Sequence, residues 1–85
     1  MNNRLHIGNL SFQTTADTLR EALSRHGAVE DVHVPVERET GRARGFGFVT
    51  MVSAEDAQRA ITALDGSTID GRSVRVSIAQ ERSRN

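Results

Sequence analysis

An α+β sandwich is the fold this sequence predicts, with two helices lying on one face of a four-stranded antiparallel sheet. Three observations lead there. Four segments alternate apolar and polar residues with the period of a strand, and two others repeat them with the period of a helix. The segments follow one another in the order β-α-β-β-α-β. With 85 residues the chain makes one modest core, enough to cover one face of a sheet and leave the other open.

The first strand runs from Arg4 to Asn9, where Leu5 and Ile7 alternate with Arg4, His6 and Gly8. Thr15 is the N-cap of a helix extending to about His26, with Ala16, Leu19, Ala22 and Leu23 on one face and Gly27 as its stop. The second strand, Val29 to Val34, turns Val32 and Val34 inward and Asp31 and His33 outward, and Pro35 marks its end. Glu37 to Ala43 is a polar connection of a length that suits a mobile hairpin loop. The third strand, Arg44 to Met51, sends Arg44, Phe46, Phe48 and Thr50 to one side and Gly47, Val49 and Met51 to the other. Ser53, with Asp56 three positions on, opens a second helix whose apolar face is Ala57, Ala60, Ile61 and Leu64 and which Gly66 ends. Asp70-Gly71 is a turn signal leading into the last strand, with Val74, Val76 and Ile78 inward and Arg75 and Ser77 outward. Residues 1–80 are thus expected to form a single domain, and 81–85 a short polar tail carrying Arg82 and Arg84. The compact solution for this order is the ferredoxin-like sandwich.

Composition narrows the function. There is no cysteine, which removes disulfides and thiolate metal sites. No apolar run reaches the roughly 18 residues of a membrane span, so no membrane partner is expected and a cytoplasmic location is. His6, His26 and His33 lack a metal-ligand spacing and no serine or threonine is joined to a base, so no metal, no cofactor and no enzymatic activity are expected. The formal net charge is zero, unlike that of strongly basic nucleic-acid binders, yet all 11 basic residues are arginine. Arginine forks onto phosphate and stacks on bases as lysine does not, although genomic composition accounts for such a bias equally well.

The chemistry concentrates in Arg44 to Met51, read R-G-F-G-F-V-T-M. Its alternation leaves two phenylalanines and an arginine facing water. An unpaired base stacks on an exposed ring for roughly 1–3 kcal/mol, and a neighbouring guanidinium holds the phosphate joining two such bases. The glycines are expected to keep the backbone bare where a ligand approaches. Core burial of the phenylalanines is the bland reading, but Val49 and Met51 already supply a burying face. A dinucleotide loop is discarded, because Thr50 stands where the third glycine belongs and no helix follows. The third aromatic, Phe12, is expected to pack at the end of the core.

Arg44 to Met51 resembles the octapeptide of the RNA-recognition motif family at every defined position but the last, where Met51 replaces an aromatic. Leu5-His6-Ile7-Gly8-Asn9-Leu10 resembles the shorter motif of that family, with His6 where an aromatic usually stands. The string E-T-G-R-A-R ahead of the octapeptide is similar to small single-domain bacterial members and to plant glycine-rich RNA-binding proteins. The resemblance implies single-stranded RNA as partner. It implies that His6 and Phe48 each stack a base, Phe46 packs against the sugars, and Arg44 pairs with the linking phosphate. Arg4, Arg75, His33 and Thr50 then flank the platform, and Arg42 with its loop clasps the strand. The implied role is a small post-transcriptional regulator or RNA chaperone, monomeric, with a homodimer left open. Single-stranded DNA as ligand and a protein-interaction module are the alternatives.

Overall fold

In the computed structural model, residues 3–79 are described, and the expected tail, residues 81–85, lies outside them. Period-two patterning produces β1 (Arg4–Gly8), β2 (Val29–His33), β3 (Phe46–Met51) and, late in the chain, β6 (Arg75–Ile78). These pair antiparallel in the order β2-β3-β1-β6. A separate ribbon, β4 (Thr68–Ile69) and β5 (Arg72–Ser73), folds about the Asp70-Gly71 turn. The Asp70-Gly71 hairpin turn is where the sequence places it, but it closes this separate ribbon and does not lead directly into the last strand. Val74 stands between β5 and β6, fully buried, its amide and carbonyl bonded to Ser67 and Gly66.

The helices α1 (Ala16–Ser24) and α2 (Ala54–Leu64) begin where polar caps satisfy orphan amides. Thr15 Oγ1 accepts from the Thr18 amide at 3.2 Å, and Ser53 Oγ from the Asp56 amide at 3.1 Å. Helix α1 stops at Ser24 with Arg25 as its cap, short of the expected His26, because the His26 amide turns back to the Leu23 carbonyl. Leu19 and Leu23 of α1 and Ala57, Ala60 and Leu64 of α2 then cover Leu5, Ile7, Val49, Met51 and Val76 on one face of the sheet. Burying a side chain of the size of Leu19 or Ile7 stabilises the fold by roughly 1.5–3 kcal/mol.

Gly47 belongs to this buried side. A Cβ there would stand 3.2 Å from the His33 carbonyl oxygen and 3.2 Å from Leu19 Cδ1, so its bareness lets α1 and β2 close on β3. The expectation that this glycine clears space for a ligand is therefore corrected. Phe12 is a second correction. It is 60% exposed, while Leu10, Thr14 and Ala43 are buried at that end of the core and the Phe12 carbonyl accepts from the Ala43 amide.

Candidate nucleic-acid interface

The strand order puts β1 and β3 at the centre, and their register decides which side chains meet. His6 lies opposite Phe48 across the β1–β3 pair, while Phe48 faces His33 on β2 and His6 faces Ser77 on β6. One row across the sheet thus reads His33, Phe48, His6, Ser77. Phe46, Gly8 and Arg75 form a second row, and Asp31, Thr50 and Arg4 a third. Alternation turns all three rows away from the helices. His6, Phe46, Phe48 and Thr50 are half-buried there, and Arg4, Asp31, His33 and Arg75 are exposed.

The three rings form a triangle. Ring centroids lie 6.0 Å apart for His6 and Phe46, with planes 19° apart, 5.4 Å for His6 and Phe48, and 5.8 Å for Phe46 and Phe48. The phenylalanines meet edge to face at 81°, a favourable quadrupole arrangement that fixes each ring without hiding its outer surface. Arg4 holds its guanidinium carbon 4.6 Å from the Phe48 centroid, a cation over a π face. A shallow hollow of about 350 Å³ opens beside the triangle between His6, Phe48, Ser77, Ile78 and Ala79. Such a surface offers flat rings for stacking, backbone and hydroxyl groups at its edge, and guanidinium groups around it. Among the described residues no group of three or more histidine, cysteine or acidic side chains is close enough to hold a metal ion.

Arg44 is placed differently from the strand expectation. Gly45 adopts φ +96°, a left-handed conformation that breaks the alternation before β3 begins at Phe46. The Arg44 amide donates to the Pro35 carbonyl and its Nε to Glu37 Oε2 at 3.2 Å, so the side chain starts from an ion pair in the hairpin. Arg42 is exposed in the same hairpin, its carbonyl bonded by the Glu37 amide at 2.8 Å. The strand residues of the expected site are brought together on one face, whereas Arg42 and Arg44 stand on the adjoining hairpin. Sequence reasoning missed two members of the face as site residues, Asp31 and Ser77, although both were read as outward-pointing. It also missed the Glu37 partner of Arg44, which only the hairpin register brings near.

Comparison with known proteins agrees with this geometry. A family described as the RNA recognition motif matches residues 5–75. The 28 kDa chloroplast ribonucleoprotein of Spinacia oleracea is 51% identical over 81 residues, which cover 95% of this chain and 35% of that protein. The mitochondrial glycine-rich RNA-binding protein 3 of Arabidopsis thaliana is 49% identical over 93% of this chain and 26% of its own length. The chain therefore spans about a third or less of these two curated relatives. They are organellar plant proteins and lend no support to the expected bacterial affiliation or cytoplasmic location. Among solved structures, RNA binding protein PG1 superposes with a TM-score of 0.85 at 41% identity, over 95% of this chain and 98% of that one. The Sxl-lethal protein in its complex with RNA does so with a TM-score of 0.85 at 30% identity, over 92% and 48%. With both short motifs side by side on the central strands and the match running from Leu5 to Arg75, the chain belongs to the RNA-recognition motif family.

Proposed function

We propose that this domain binds single-stranded RNA on the open face of its sheet, acting by binding and not by catalysis. The observation that carries the reading is the triangle of His6, Phe46 and Phe48, three rings within 6.0 Å of one another on the face opposite α1 and α2. Two bases stack on His6 and Phe48, Phe46 lies against the sugars between them, and Arg44 takes the linking phosphate. Arg4, Thr50, His33 and Arg75 supply contacts at the margins, and Arg42 reaches over from the hairpin. Duplex RNA is a poor fit because its bases are already stacked on each other. The names of the relatives, a ribonucleoprotein and an RNA-binding protein, support RNA as the partner, and the role that follows from such binding is post-transcriptional, as regulator or RNA chaperone. The domain acts as a monomer.

Fluorescence anisotropy with a labelled single-stranded RNA pool, matched DNA and a duplex control tests this reading. Wild type should bind the single strands and lose them in the folded Phe46→Ala/Phe48→Ala variant. A preference for RNA over DNA assigns the ligand through its 2′-hydroxyl. No single-strand binding at low salt would sink the proposal in favour of a protein-interaction module.

A further inference from the structure

We infer that Glu37 is an affinity-setting residue of the RNA face, its carboxylate engaging Arg44 Nε and opposing, as a like charge, an RNA phosphate brought to the same guanidinium. The inference rests on the RNA-binding reading above and adds a residue which that reading does not contain.

The pair is built to hold and to open. Arg44 Nε lies 3.2 Å from Glu37 Oε2, within range of a charge-assisted hydrogen bond, and the two side chains are 54% and 52% exposed. Backbone bonds fix where the carboxylate starts. The Glu37 amide donates to the Arg42 carbonyl at 2.8 Å, its carbonyl accepts from the Gly41 amide at 2.8 Å, and Val36 bridges to Ala43. The Arg44 amide is held by the Pro35 carbonyl at 3.0 Å. Both partners therefore hang from an ordered hairpin, and their meeting needs little further ordering of the chain.

Arg44 differs in this from the other arginines assigned to the face. Arg4 lies against a ring, and among the described residues Arg4, Arg42 and Arg75 have no carboxylate within 4.0 Å. A phosphate arriving at Arg44 finds Nε taken and the Glu37 carboxylate, a like charge, beside it, whether that carboxylate stays or is displaced. The phosphate contact consequently adds less to affinity than one to an arginine with no carboxylate beside it. Strands are retained by stacking more than by charge.

The test is RNA binding by Glu37→Gln, which keeps the side chain's shape and removes its charge. Half-exposed pairs of this kind are worth up to about a fivefold change in an equilibrium. Glu37→Gln is expected to tighten single-stranded RNA binding about two- to fivefold. The slope of log K against log salt should steepen by up to about 0.7, the contribution of one single-strand phosphate. Glu39→Gln, which removes a charge from the same loop without touching Arg44, should do less. In an Arg44→Gln background the effect of Glu37→Gln should vanish. Thermal melts establish that each variant is folded.

Unchanged or weaker binding by Glu37→Gln overturns the inference, as does tightening that persists without Arg44 or is matched by Glu39→Gln. Absence of RNA binding by wild type overturns instead the reading on which it rests.

Discussion

Gly47→Ala separates two roles for a glycine that sits inside the octapeptide. The added methyl would point to the helix side, 3.2 Å from the His33 carbonyl oxygen, 3.2 Å from Leu19 Cδ1 and 3.4 Å from Val34 Cγ2. Leu19 is fully buried and the His33 carbonyl is held in the β2–β3 ladder, so neither can retreat freely. Overpacking of this order costs about 1–3 kcal/mol, and the lower chain entropy of alanine in the unfolded state offsets about 0.4–1 kcal/mol. The net expectation is a loss of about 1–2 kcal/mol, and in a domain of this size each 1 kcal/mol lowers Tm by about 4–8 °C. Urea and thermal melts measure the stability, and RNA anisotropy well below Tm measures the face. Unchanged RNA affinity with a lowered Tm is the expected pair of results. Unaltered stability with weakened RNA binding would refute the packing argument and return Gly47 to the ligand side.

Three further substitutions test neighbouring claims. Phe48→Ala removes a half-exposed stacking ring and should cost about 1–3 kcal/mol of RNA affinity by anisotropy, with the circular dichroism spectrum retained. Ser53→Ala removes the hydroxyl that caps α2 and should lower stability by about 1 kcal/mol in a urea melt, leaving RNA binding as it was. Asn9→Ala should cost about 1–3 kcal/mol of stability, because Asn9 holds φ +59° and exchanges side-chain bonds with the Ser73 carbonyl at 2.6 Å and Arg72 at 2.7 Å. Asn9→Gly should restore only the backbone part, which a parallel melt detects.

What the sequence disclosed, it disclosed through periodicity. Leu5 and Ile7 against His6, and Val49 and Met51 against Phe48, alternate as a half-buried strand must, and that alone assigned the two faces of the central strands. Capping was equally legible, since Thr15 and Ser53 act through amides three residues away. Features set by distant partners were not. Phe12 reads as core until Leu10, Thr14 and Ala43 are seen to have closed that end without it. Arg44 reads as a strand residue until Gly45 turns left-handed, and its partner Glu37 comes within reach only when Val36 pairs with Ala43. The register shift between Val29 and Asp31 likewise brings Asp31 opposite Thr50, a juxtaposition no local pattern encodes.

The strand order also governs the sequence in which the ring-bearing face is completed during synthesis. β1 is made first, yet it is complete only when β3 has paired along one edge and β6 along the other, joining Leu5 to Ile78. Closing such a distant contact is slow relative to forming either helix, and nearly all of the described chain must have emerged before it can happen. A growing polypeptide can bring His6, Phe46 and Phe48 together once β1 and β3 have paired, but the far edge of β1 stays open until β6 arrives. The face on which the rings stand is therefore finished last, by the strand that carries Arg75 and Ser77.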